Sequence, residues 1–163
     1  MAARTAWTAG NGVGFTWTTA INSADLASMA NGSSVVSSVA DIANQTNLDI
    51  YADLSVRCAI ASSTTVAGAN FALWLYALLD DAATYGDGQF TNGTQAAKTP
   101  TFPPCALIPL VAAAAQTTLV GYASGIIIPP GSFRFALQNN SGFALTSGTQ
   151  TVKYRTYNIN LNN

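Results

Sequence analysis

Between Leu48 and Ile60 the chain alternates with a period of two. Leu48, Ile50, Ala52, Leu54, Val56, Cys58 and Ile60 fall on one side, and Asp49, Tyr51, Asp53, Ser55, Arg57 and Ala59 on the other. Successive side chains of an extended backbone point to opposite faces, so the segment predicts a strand with one buried face. Ser62 to Ala69 reads as a connection, and Asn70 to Leu79, carrying Phe71, Leu73, Trp74, Leu75 and Tyr76, predicts a second strand antiparallel beside the first. Further strands are predicted at Ser34 to Ala40, Thr118 to Ile128, Phe133 to Gln138 and Gln150 to Leu161. Turn chemistry separates them at Pro129 to Gly131, Asn139 to Gly142 and Ser147 to Thr149.

Helical patterning is scarce. Ser23 to Ala30 is the best candidate, with Ser23 as a cap ahead of Asp25 and Leu26 and Asn31-Gly32 as a stop. Ala112 to Ala115 is helix-friendly, but nearby prolines and β-branched neighbours oppose it. Many short strands with turn clusters predict an all-β fold, an antiparallel β-sandwich for which a jelly roll is one form. Residues 1–20 are expected to form an extended N-terminal arm, and residues 21–163 a single sandwich domain. Two segments stand outside the strand pattern. One is the leader Met1 to Ala20, rich in Ala, Thr and Gly yet carrying Trp7, Phe15 and Trp17; the other is a long insertion-like loop, Asp80 to Pro104, with Tyr85 and Phe90.

Composition narrows the function. The 163 residues include no histidine and no glutamate, and only 8% are charged. Proton transfer near neutral pH relies mostly on histidine or tuned carboxylates, so seven scattered aspartates argue against an enzyme. A net charge of -1 leaves no electrostatic footprint for a nucleic-acid backbone. A surface kept soluble by Ser, Thr, Asn and Gly docks closely without desolvating many ions. No apolar run follows Met1 to Arg4, so a cytosolic origin is expected; the uncharged stretch Thr99 to Phe133 is cut below spanning length by prolines that include Pro103, Pro104, Pro109 and Pro129, so no membrane segment is expected. In a reducing cytosol Cys58 and Cys105 are expected as free thiols. The four glycosylation-like triplets, at Asn31, Asn44, Asn92 and Asn139, then read as chance matches.

The candidate chemical motifs are weak. Asp49, Asp53 and Arg57 share a strand face, but positions four apart on a strand lie roughly 13 Å apart, too far to share a proton or a metal. A solvated sheet face is the expected reading. Asp80, Asp81 and Asp87 lack the alternating ligand spacing of an EF-hand loop. Gly10 to Gly14 has the glycine density of a phosphate loop without a preceding strand or a lysine, and reads as a hinge. Cys58 lies on the inward phase of its strand, as a core thiol would. No catalytic, metal or cofactor residues are therefore assigned. Trp7 and Trp17 admit two readings: anchors on the domain's own core, or an aromatic arm that packs on a partner.

Across roughly Asp49 to Asn160 the chain resembles small β-rich virion proteins of tailed bacteriophages, of the capsid decoration or cement type. The residues that carry this are Leu48 to Leu54 (LDIYADL), Gly68 to Leu75 (GANFALWL), Tyr85 to Gly88 (YGDG), Ile128 to Phe135 (IPPGSFRF), Gln138 to Gly142 (QNNSG) and Val152 to Tyr157 (VKYRTY). The resemblance implies a structural role on the capsid surface after synthesis in the bacterial cytoplasm. It implies the major capsid protein as partner and a homo-oligomer, a trimer or dimer, as a common arrangement. Because loops and termini carry binding on sandwiches, Trp7, Phe15, Trp17, Tyr85 and Phe90 are the expected partner-binding residues. Two rivals belong to other classes. A glycan-binding tail or fibre sandwich would use Tyr51, Tyr76, Tyr85 or Trp74 as stacking platforms, and a glycosidase would need a carboxylate pair such as Asp80 or Asp81 with Asp87.

Overall fold

The computed structural model describes residues 4–9, 15–60, 67–79, 85, 92–97, 99–112, 117–148 and 150–162, with the backbone alone for 4–6, 112 and 160–162. In chain order the described elements are β1 (Arg4–Ala9), β2 (Thr18–Ile21), α1 (Ser23–Leu26), β3 (Ser34–Val36), β4 (Ile42–Ala43), β5 (Tyr51–Ala59), β6 (Asn70–Ala77), β7 (Ala106–Pro109), β8 (Val111–Ala112), β9 (Thr118–Ile127), β10 (Ser132–Asn140) and β11 (Thr151–Asn162). Among the described residues no helix is long and apolar enough to cross a membrane.

The pairings define the fold. β2 pairs with β11, β3 with β10, β5 with β9 and β6 with β7, all antiparallel. The chain is thus one long two-stranded ribbon, running out through β2, β3, β5 and β6 and back through β7, β9, β10 and β11. It is rolled so that β11 meets β5 and β10 meets β6. Alternate rungs of the ribbon fall in alternate sheets, giving a first sheet of order β1-β11-β5-β9-β8, with β2 also on β11, and a second of order β3-β10-β6-β7, with β4 on β10. This is an all-β sandwich with the connectivity of a jelly roll.

The expectation that β5 and β6 are neighbours is corrected: they lie in different sheets, because the ribbon changes sheets between them. Their inner faces meet through Leu54, Val56 and Cys58 on one side and Phe71 and Leu73 on the other, with Phe133, Phe135 and Leu137 of β10 completing the core. The inward phase of β5 starts only at Ala52. Leu48, at φ 50°, and Ile50 precede the strand and are exposed.

The second sheet is covered on both faces, so β6 reads FALWLY without alternation. Its outer residues Val36, Ala72, Trp74, Tyr76 and Ala136 are roofed by Tyr85 and Phe102 from the long loop. Trp74 Nε1 donates to the Phe102 carbonyl at 2.8 Å, and Gly93 N to the Val36 carbonyl at 2.8 Å. Trp74 and Tyr76 are therefore buried and cannot serve as sugar platforms. Pro109 is tolerated in β7 because that strand is the sheet edge.

The expected helix at Ser23 to Ala30 shrinks to a single turn. Ala27 is extended and Ser28 has φ 56°, and the N-cap is Asn22, not Ser23. The Ser23 hydroxyl instead accepts the Gln150 N–H at 3.1 Å. Buried amides tie the connections: Asn139 Nδ2 donates to the carbonyls of Met29 and Phe143, and Asn44 Nδ2 to those of Asp49 and Pro129. Each satisfies backbone groups that a packed loop would otherwise bury unpaired. Ala112 ends β8, and residues 113–115 lie outside the described set.

Candidate docking surface

The outer face of the first sheet has no such roof among the described residues. Its geometry begins at the edge of β11, where β1 and β2 lie end to end: Ala9 stands opposite Tyr157 and Thr18 opposite Tyr154. Between those points β11 advances by two residues, Arg155 and Thr156, while the leader takes eight, residues 10–17. The excess length brings Phe15 and Trp17 onto Arg155, whose guanidinium carbon lies 5.6 Å and 4.9 Å from the two ring centres. A planar cation between aromatic faces is favourable both electrostatically and by stacking.

Arg155 is held from below by Asp53. Opposite Asp53, β9 carries an extra residue: Ala52 pairs with Ile126 and Leu54 with Ala123, so Ser124 and Gly125 together face one residue of β5. Gly125 adopts φ +68°, which glycine allows in such a bulge, and its N–H donates to Asp53 Oδ1 at 3.2 Å. Tyr157 OH donates to the same oxygen at 3.1 Å. Oδ2 accepts Tyr122 OH at 2.7 Å and Arg155 Nε and Nη2 at 3.0 and 2.8 Å. Asp53 is 3% exposed, which corrects the expectation of a solvated row of Asp49, Asp53 and Arg57. Asp49 is buried too, accepting Asn158 Nδ2 at 3.0 Å, while Arg57 is exposed.

Burial by itself would push the Asp53 carboxyl up; the bonds from Tyr122, Arg155, Gly125 and Tyr157 outweigh it and hold the group below its usual range. With five donors on two oxygens, the carboxylate is an anchor with no free lone pair directed at a substrate. Burial and the same carboxylate raise the Tyr122 and Tyr157 hydroxyls. Above this anchor Trp7, Phe15, Tyr122 and Tyr157 wall a groove of about 540 Å³ that also takes in Ser124 and Gly125. Trp7 packs edge-on against Tyr157 at 5.0 Å, and Tyr157 stacks on Tyr51 at 5.6 Å. Even so, Trp7 is 59%, Phe15 44% and Tyr122 48% exposed.

Three of the five expected partner-binding residues, Trp7, Phe15 and Trp17, thus converge on one face. Tyr85 lies apart on the second sheet, where its hydroxyl donates to Asp41 and its ring lies 5.2 Å from the Arg134 guanidinium carbon. Arg134 also bonds Asp41, and burial together with Asp41 pushes the Tyr85 hydroxyl up to about 12. Tyr85 fastens the loop to its own domain. Phe90, like Asp80, Asp81, Asp87 and the glycine-rich 10–14 segment, lies outside the described residues. Sequence reasoning missed Tyr122, Arg155 and Tyr157, which come from strands distant in the chain; the available signal was a lone aspartate at the centre of an alternating strand. Cys58 is buried and Cys105 exposed, both free, and burial raises the Cys58 thiol to about 12. No protein-family model matches the chain, and no curated protein or solved structure does either.

Proposed function

We propose that this protein is a structural virion component that decorates a bacteriophage capsid by binding the major capsid protein lattice, with the outer face of its first sheet as the docking surface. The observation that carries this reading is the asymmetry of the two outer faces. One is closed by the protein's own loop, while the other presents Trp7, Phe15 and Tyr122 to solvent around an anchored arginine. Aromatic residues and arginine dominate the energetic centres of protein interfaces. The resemblance to decoration proteins supports the same role, and the sandwich suits a repeated lattice, where many weak contacts add up. A homo-oligomer on the lattice follows from the same reading.

A glycan-binding role on a tail or fibre is the second reading, favoured by ring walls and hydroxyls around a groove large enough for a sugar. Co-sedimentation with expanded capsids that lack the protein, alongside unexpanded procapsids and tails, separates the two. Saturable binding to expanded heads at a copy number matching the lattice supports decoration; binding only to tails or on a glycan array supports the second reading.

A further inference from the structure

Among the described side chains, every carboxylate is consumed inside the fold. Asp25 accepts the Ser38 N–H and hydroxyl at 2.7 and 2.8 Å, Asp49 is bonded by Asn158, Asp41 pairs with Arg134 and Asp53 with Arg155. The cations divide differently. Arg134 and Arg155 are neutralised in those pairs, whereas Arg57 and Lys153 are exposed and have no carboxylate partner among the described residues. Both point outward from the first sheet on hydrogen-bonded strands. Thr151 stands opposite Arg57 and Lys153 opposite Ser55, so the two cations are diagonal neighbours. Lys153 continues the line of Arg155 along β11, with Arg57 beside it on β5, and the strip runs through Arg155 into the aromatic groove. The near-zero net charge of the chain conceals a face that is basic and aromatic at once.

We infer that the surface this face docks on is acidic: a protein patch whose carboxylates meet Arg57 and Lys153 beside an apolar recess that receives Trp7 and Phe15. This inference rests on the decoration reading and names the chemistry of the partner. Like charges kept side by side without a counter-ion on an otherwise charge-poor surface are complementary to an anionic partner, and they steer its approach. A second copy of this chain is a poor occupant, since its matching face carries the same sign. The aromatic rings give the contact an apolar centre that two cations on their own would lack.

The test is co-sedimentation with expanded heads at about 50 to 500 mM salt, comparing the wild type, R57E/K153E, the neutral R57Q/K153Q and W7A. Circular dichroism and thermal melting verify that each variant is folded, and the neutral pair serves if the reversal does not fold. Expected are wild-type binding that weakens with salt, a loss of about tenfold or more in affinity for the reversed pair at low salt, a smaller loss for the neutral pair, and a flattened salt dependence for both. Unchanged binding and salt dependence in the folded charge variants overturns the acidic partner while leaving decoration intact. Failure of the wild type to bind heads overturns decoration and this inference with it. If the variants change self-association in analytical ultracentrifugation but not head binding, the occupant is a second copy and the inference is wrong.

Discussion

The guanidinium carbon of Arg155 lies 4.9 Å from the centre of the Trp17 ring, which ties a leader residue to the first half of the last strand. The clamp works because Asp53, on the strand between β11 and β9, fixes the arginine's plane through two bonds to one oxygen. Replacing Arg155 by Ala should release Phe15 and Trp17 together. The expected readout is a red shift in tryptophan emission with the buried Trp74 contribution unchanged, and R155K should shift partway, because lysine keeps the charge without the flat stacking surface.

Asp53→Ala should cost more than the loss of one ion pair. Tyr122 OH, Tyr157 OH, Gly125 N and Arg155 all lose their acceptor, and the buried Tyr157 hydroxyl has little recourse to solvent. A loss on the order of 2–4 kcal/mol in urea-unfolding stability is expected.

Acid should weaken the fold through Asp53 and Asp41. Burial raises both, but Tyr122 and Arg155 in one case, and Tyr85 and Arg134 in the other, outweigh it, so both folded-state carboxyls titrate below the unfolded value. Their contribution is complete above about pH 4, the unfolded range for aspartate, and is lost as pH falls through the folded values. Thermal melting followed from neutral pH downward should therefore decline below about pH 4, and D41N/D53N should show a flatter profile from a lower starting point.

A Cβ on Gly121 would lie 2.6 Å from Ile108 Cγ2 and 2.9 Å from the Pro109 carbonyl, where β9 passes beneath the end of β7. Gly121→Ala should lose about 1–3 kcal/mol by overpacking. Gly131, with nothing within 4 Å of its Cβ position, is the matched control, and Gly131→Ala should stay within about 0.5 kcal/mol of wild type. Chemical denaturation of the pair separates crowding from a general intolerance of alanine.

Much of the architecture was legible from periodicity and turns. Phe133, Phe135 and Leu137 alternate inward in β10 as their spacing predicts, and Pro129 to Gly131 separates β9 from β10. Sheet membership was not legible, because an alternating strand states which face is buried and says nothing of its neighbour. That is why β5 and β6 read as partners. The site was half legible. Trp7, Phe15 and Trp17 stood out as aromatics in a polar leader, but Tyr122, Arg155 and Asp53 meet only through pairings 69 and 102 residues apart. Asp53 looked solvated because the bulge at Gly125, which supplies its backbone donor, has no marker in β5 itself. β7 was hidden by its brevity and its proline.

β11 accepts β1, β2 and β5 along its two edges, so residues 151–162 complete the first sheet for segments translated some hundred residues earlier. During synthesis those segments wait as open strand edges, and at the ribosome's pace of about 5–20 residues per second the wait lasts several seconds. The fold therefore closes only after residues 151–162 have emerged, and its yield in a cell depends on how well chaperones shield those edges until then.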